Sequence, residues 1–186
     1  MKKIFFLLLV AAMGVIFTSC ENETIEVNKI ASHREQFYPE PYTNWGGSID
    51  NVKSEMSKYS LTAGDMFQMD AEYTNGQTEL KWFLYFYGKN PFDQGNDIVY
   101  FYCFDSATSG LCAVQVTLYN IDLSDITAQL EAHGYSYVSY DGQYYYHTYQ
   151  SNTTSVRVYV PTSQSNNYIL MYQKIGANLI KPRVLQ

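Results

Sequence analysis

Ser48-Ile49-Asp50-Asn51-Val52-Lys53-Ser54-Glu55-Met56-Ser57-Lys58-Tyr59 is the stretch on which the reading of the fold depends. Ser48 is a hydroxyl residue of the kind that caps a helix N-terminus, and Ile49, Val52, Met56 and Tyr59 follow at spacings of three, four and three. Those spacings put all four side chains on one face of a helix. The same design recurs downstream at one constant offset. Asp122 replaces Ser48, Leu123 replaces Ile49, Ile126 replaces Val52, Leu130 replaces Met56 and His133 replaces Tyr59. On that stripe His133 stands where an aromatic packs, which gives it a structural role.

Working outward, each helix is followed by strand-like runs. After the first come 67–73, the Asn75-Gly76 tight turn, and 78–87, with Leu80, Trp82, Leu84 and Phe86 on one face and Phe83, Tyr85 and Tyr87 on the other. A loop with Pro91 and Gly95 leads to strands 97–105 and 111–119, joined by a turn at 106–110. After the second helix come 135–140, the Asp141-Gly142 turn, and strands 143–150, 155–160 and 168–174. The tail from Ile175 either extends a sheet edge or frays. The expectation is an α+β fold: two tandem repeats, each one helix followed by about four antiparallel strands, forming one compact domain. The units cover 45–120 and 121–186, the second including the tail.

Composition narrows the class. The chain has 186 residues and a formal charge of −6, from 12 basic and 18 acidic residues. With no run of Lys or Arg, it lacks the electrostatic footprint of a nucleic-acid binder or of a polybasic membrane binder. Aromatics are dense, with 19 Tyr, 10 Phe and 2 Trp. Such residues fit a pleated, half-buried sheet, and tyrosine in particular serves contact surfaces, joining area to a polar tip at low entropic cost.

The N-terminus supplies an address. Lys2 and Lys3 precede an apolar segment at 4–17, too short to span a bilayer comfortably, which ends in Phe17-Thr18-Ser19-Cys20. That ending resembles the lipobox of bacterial lipoproteins, with Phe17 where the family usually has Leu. The resemblance implies a signal peptide at 1–19, cut before a Cys20 that carries a diacylglyceryl group, and a lipidated tether at 20–44. An ordinary secretory signal and an N-terminal membrane anchor are the alternatives. Glu21-Asn22-Glu23 resembles the acidic signal that sends certain Gram-negative lipoproteins to the outer face of the outer membrane. The expected location is therefore the outer membrane, leaning to the cell surface, with the periplasmic face as the other arrangement. The membrane would be met through the lipid.

Two cysteines remain for the exported part. Counting outward from the 106–110 turn sets Cys103 opposite Cys112, where a facing cross-strand pair can reach disulfide distance. Two reduced core cysteines are the alternative.

Signs of catalysis are scarce. His33 lies in the tether, and HExxH, GxSxG and CxxC motifs are missing. Asp93-Gln94-Gly95-Asn96-Asp97 lacks the alternating oxygen spacing of a calcium loop. No catalytic residue, metal or cofactor is assigned.

The stretch that exceeds background is 135–149. If Asp141-Gly142 is a two-residue turn, residue 137 faces 146 and 135 faces 148. Tyr135, Tyr137, Tyr144 and Tyr146 then share one sheet face, with His147 a contact residue in the other set. A lipoprotein built of a helix plus antiparallel meander, twice over, is similar to the β-lactamase-inhibitor-like architecture, and the small SmpA-type assembly lipoproteins share a related unit. The resemblance implies a sheet face that holds another protein. The leading expectation is thus a non-enzymatic, lipid-anchored envelope module with a protein partner. A glycan-binding surface lipoprotein comes second, because flat aromatic rows also stack on sugars, and an envelope enzyme of unrecognised type comes third.

Overall fold

The structure, a computed structural model, describes residues 36–183 except 94, 144 and 161–166. By its contacts the chain divides after Gln36, and the fold below is that of Phe37–Gln186. The leader, Cys20 and His33 lie outside the described residues.

Both amphipathic stripes form helices, α1 at Ile49–Met56 and α2 at Leu123–Ala132. The Ser48 hydroxyl accepts a hydrogen bond from the Asn51 backbone N–H at 3.3 Å, satisfying one of the donors that a helix start leaves open. Asp122 holds the matching position without a side-chain cap bond. Ile49, Val52 and Met56 on α1, and Ile126 and Leu130 on α2, are buried. His133 is instead an exposed C-cap residue with Nδ1 3.0 Å from Glu40 Oε2, so it does not pack as an aromatic on the stripe would.

The strands overturn the expected two-repeat α+β fold. Among the described residues nine strands form a single antiparallel sheet: β1 Thr62–Ala63, β2 Phe67–Glu72, β3 Thr78–Lys89, β4 Asp97–Phe104, β5 Leu111–Leu118, β6 Ser136–Asp141, β7 Tyr146–Gln150, β8 Thr154–Tyr159 and β9 Tyr168–Lys174. Their order is β1-β3-β4-β5-β9-β8-β7-β6, with β2 also paired to β3. The reason is the central seam. β5 and β9 hydrogen-bond to one another from Ala113↔Gln173 to Leu118↔Tyr168, so neither half closes as a separate helix-plus-sheet unit. Among the described residues the fold is mostly antiparallel sheet, and the two short helices found there share one face of it.

That helix-side core holds Leu84, Phe86, Tyr100, Tyr102, Val114, Val116, Val158, Leu170 and Tyr172 against both helices. Phe37, Tyr38 and Tyr42, expected in the tether, pack into it. Tyr38 is fully buried, and its backbone N–H donates to Gln129 Oε1 at 3.0 Å while its carbonyl accepts from Gln129 Nε2 at 2.9 Å. A glutamine on α2 thus pairs with the incoming chain as another strand would.

On the opposite face a second apolar cluster gathers Ala71, Tyr73, Phe83, Cys103, Ala113, Met171 and Ile180. From Ile175 to Arg183 the tail crosses this face and meets the sheet edge beyond β2 through an antiparallel bridge between Ile180 and Tyr73. Three buried polar side chains hold its backbone. Gln115 donates to the Arg183 carbonyl at 2.8 Å and accepts from its N–H at 2.7 Å. Gln173 accepts from Ile180 N–H at 3.1 Å, and Arg157 donates to the Ile180 carbonyl at 2.8 Å. Beyond these, Thr74 N–H donates to the Leu179 carbonyl and Lys181 N–H to the Glu72 carbonyl, both at 2.8 Å.

Candidate functional site

The 135–149 stretch folds differently from the two-residue-turn reading. Asp141 pairs with Tyr146, so the loop spans 142–145, and Gln143 N–H is held by the Asp141 carboxylate at 2.9 Å. Tyr145 adopts a positive φ of 55°. A bulge at Val138 then shifts the register, and Tyr137 pairs with Tyr149 rather than Tyr146. One extra residue in one strand moves the side chains that follow to the other face.

The four candidates among the described residues are accordingly dispersed. Tyr135 is buried in the helix-side core, edge-on to Tyr172 at 6.2 Å, with its hydroxyl pushed up to about 12 chiefly by burial. Tyr146 lies on the second face, 5.1 Å from the Tyr159 ring and beneath the Arg157 guanidinium. Tyr144 lies outside the described residues. Tyr137 and His147 do meet, ring centroids 6.0 Å apart.

Around those two the structure assembles a different aromatic group. Tyr140, which is not among the five candidates, lies 4.7 Å from His147. Tyr149 anchors the group from below, 5.5 Å from Tyr137, with its hydroxyl 2.9 Å from the Thr127 hydroxyl on α2. The cover of α2 reaches Tyr149, which is buried, but not β6. Tyr137, Val138, Tyr140 and Tyr145 are each about half exposed, at 52%, 52%, 49% and 52%. Because β6 ends the strand order, one side of its backbone also has no strand partner among the described residues. Exposed aromatics and an open strand edge therefore coincide.

A second aromatic row extends the Phe83, Tyr85 and Tyr87 face of β3 to Phe67 on β2 and Phe101 on β4. Phe67 stacks on Phe83 at 5.9 Å and meets Tyr85 at 6.2 Å, and Tyr85 in turn contacts Tyr87 at 5.9 Å and Phe101 at 6.0 Å. The part on β3 follows from strand alternation, whereas Phe67 and Phe101 join it through cross-strand pairing.

The cysteines need a register correction. A bulge between Cys103 and Phe104 pairs Cys103 with Ala113, not Cys112. The two residues are free thiols with Sγ atoms 3.4 Å apart, and Cys112 Sγ is also 3.2 Å from the Cys103 carbonyl. The hydrogen bond with Cys112, then burial, pushes the Cys103 thiol far up. Close by, Lys81 bridges Glu79 at 2.7 Å and Asp105 at 2.8 Å. Burial alone would lower the Lys81 ammonium, but those two carboxylates outweigh it and raise it.

Among the described residues no group of three or more His, Cys, Asp or Glu is placed to hold a metal ion, and no helix is long and apolar enough to cross a membrane. No protein-family model matches the chain, and comparison with the curated proteins and with the solved structures gives no match.

Proposed function

We propose that the protein is a lipid-anchored envelope module that binds rather than catalyses, holding a protein partner at the β6 edge. The observation that supports this reading is the coincidence of Tyr137, Val138, Tyr140 and Tyr145, all about half exposed, with an open terminal strand. Large aromatics left in water favour a partner, because covering them gains roughly 25 cal/mol per Å² of apolar surface removed from solvent. The backbone edge of β6, which has no strand partner among the described residues, selects the kind of partner: an extended protein segment can add to β6 through main-chain hydrogen bonds while its side chains meet the rings. Attachment through Cys20 would hold the module at the membrane.

The test is capture from envelope extract with the full chain as bait, beside Tyr137→Ser/Tyr140→Ser and a Tyr87→Ser control at the far side of the sheet. The expected result is one captured protein, retained by Tyr87→Ser and lost by the double variant, with protection from hydrogen exchange in β6 when that protein is added back. Equal capture by all three baits would overturn the reading. A polysaccharide held through the same tyrosines, with no protein, would replace it with the glycan-binding alternative.

A further inference from the structure

The second face of the sheet contains a cavity of about 490 Å³, remote from the β6 edge and within the roughly 300–1,000 Å³ typical of small-molecule sites. Its existence follows from three small residues. Where neighbouring positions on this face carry Phe83, Tyr85 and Phe101, the chain places Ala71, Cys103 and Ala113, and Cys103 and Ala113 are direct cross-strand partners. Space that rings would otherwise fill stays open. Phe83, Phe101 and Met171 complete the floor, while 69–72 and 180–183 form the walls.

The walls are built rather than draped. Gln115, Gln173 and Arg157 hold the tail's backbone through buried hydrogen bonds, and Lys181 pairs with Glu72 across the two segments. The polar groups at the base are already committed. The Gln115 amide is spent on Thr117 and on both backbone groups of Arg183, and the Cys103 sulfur accepts from the Cys112 thiol. A ligand's buried portion must therefore be hydrocarbon, because a polar atom placed there would lose its water without gaining a partner.

The mouth has the opposite character. Arg183, in a chain with only 12 basic residues, lies against the Met69 sulfur and has no carboxylate partner among the described residues. A guanidinium forks onto a carboxylate with two parallel hydrogen bonds. Asp70 and Glu72 also line this rim, and Glu72 is engaged by Lys181, so the site favours one anionic group at Arg183 over a multiply charged one.

We infer that this cavity binds a long-chain carboxylate, with its hydrocarbon on the Phe83–Phe101–Met171 floor and its head group at Arg183. The site is independent of the β6 edge. It is tested by titrating the full chain with cis-parinaric acid, a fluorescent fatty acid, and displacing it with palmitate or with hexadecanol. Saturable binding is expected, with hexadecanol competing about tenfold worse than palmitate and Arg183→Gln weakening affinity by about tenfold. Ala113→Phe, which fills the floor, should abolish binding. Ala71→Val, a milder filler, should weaken it if Ala113→Phe disturbs folding, as judged by near-ultraviolet circular dichroism. Tyr140→Ser should bind like the wild type. No saturable binding, unchanged affinity in folded Arg183→Gln and Ala71→Val, or equal competition by the alcohol would overturn the proposal.

Discussion

Arg157, 3% exposed, donates from its guanidinium to the Ile180 carbonyl at 2.8 Å and faces no carboxylate among the described residues. Burial lowers its affinity for the proton, opposed by the neighbouring Tyr159 and Tyr146. Its other partners are Gln173 and the Tyr159 hydroxyl, with the Tyr146 and Tyr159 rings 5.7 and 5.6 Å away. A buried charge thus fastens the tail through neutral groups. Arg157→Ala is expected to cost about 2–4 kcal/mol, from the cavity and the orphaned Ile180 carbonyl. Urea unfolding measures that cost, and hydrogen exchange should show early loss of protection at Ile180 and Lys181. Unchanged protection there would show that the tail does not depend on Arg157.

The tyrosine-rich core makes the protein sensitive to alkali. Tyr38 and Tyr172, fully buried, share a hydrogen bond at 2.8 Å, and burial raises both hydroxyls well above the ordinary 10, as it does Tyr100. Tyr73 is pushed up to about 12, by burial first and then by its bond to Glu79. A raised folded value means the native state holds protons that the unfolded chain releases near 10. The resulting stability is present below that pH and is lost as pH rises through the folded values. Tyrosinate absorbance should therefore lag behind a free-tyrosine titration and then rise together with unfolding. Complete ionisation near pH 10 in a protein that remains folded would contradict this.

Acid acts at a different place. Glu79 is held below its ordinary value of 4.5 by hydrogen bonds from Lys81 and Tyr73. For a lowered carboxyl the stability is present above the unfolded value and is lost as pH falls through the folded one. Glu79→Gln should be less stable than wild type at neutral pH, with the gap closing as pH drops below about 4.5. Urea midpoints taken across that range provide the check, and a pH-independent gap would refute the ionic contribution.

The two thiols lie close enough to respond to oxidant. Cys103 is buried and Cys112 is half-buried, with sulfurs 3.4 Å apart. Under reducing conditions iodoacetamide should modify Cys112 well before Cys103. With oxidised glutathione, attack by one thiolate on a mixed disulfide at the other should release glutathione and leave the internal bridge, raising stability by roughly 2–3 kcal/mol. Mass spectrometry after alkylation distinguishes the states. Two alkylated cysteines after oxidation would exclude the bridge.

Gly64 lies under the Tyr85 ring so closely that an added Cβ would fall within it. Gly64→Ala must displace a ring that touches Phe67, Tyr87 and Phe101, at an expected cost of about 1–3 kcal/mol. Thermal unfolding measures the loss, and Tyr85→Ala in the same chain should remove most of it. A cost that persists in the double variant would place the strain elsewhere.

Helices and strand phases were legible because they depend on local spacing. The stripes at Ile49/Val52/Met56 and Ile126/Leu130, the Ser48 cap, the Asn75-Gly76 turn and the alternation of β3 each follow from which side chains lie within a turn or a pleat of one another. The candidate site was legible only in part, as a tyrosine-dense stretch around Tyr137 and His147. Single-residue bulges at Val138 and after Cys103 decided which tyrosines met and which cysteine faced which strand. A bulge is set by what the whole sheet gains from the shifted register, and that gain involves residues distant in sequence. The same holds for the β5–β9 seam, which made one sheet of two expected units, and for the tail, whose path depends on Gln115, Arg157 and Gln173. Local chemistry in the sequence determined what each segment is, whereas long-range pairing in the tertiary structure decided which segments meet.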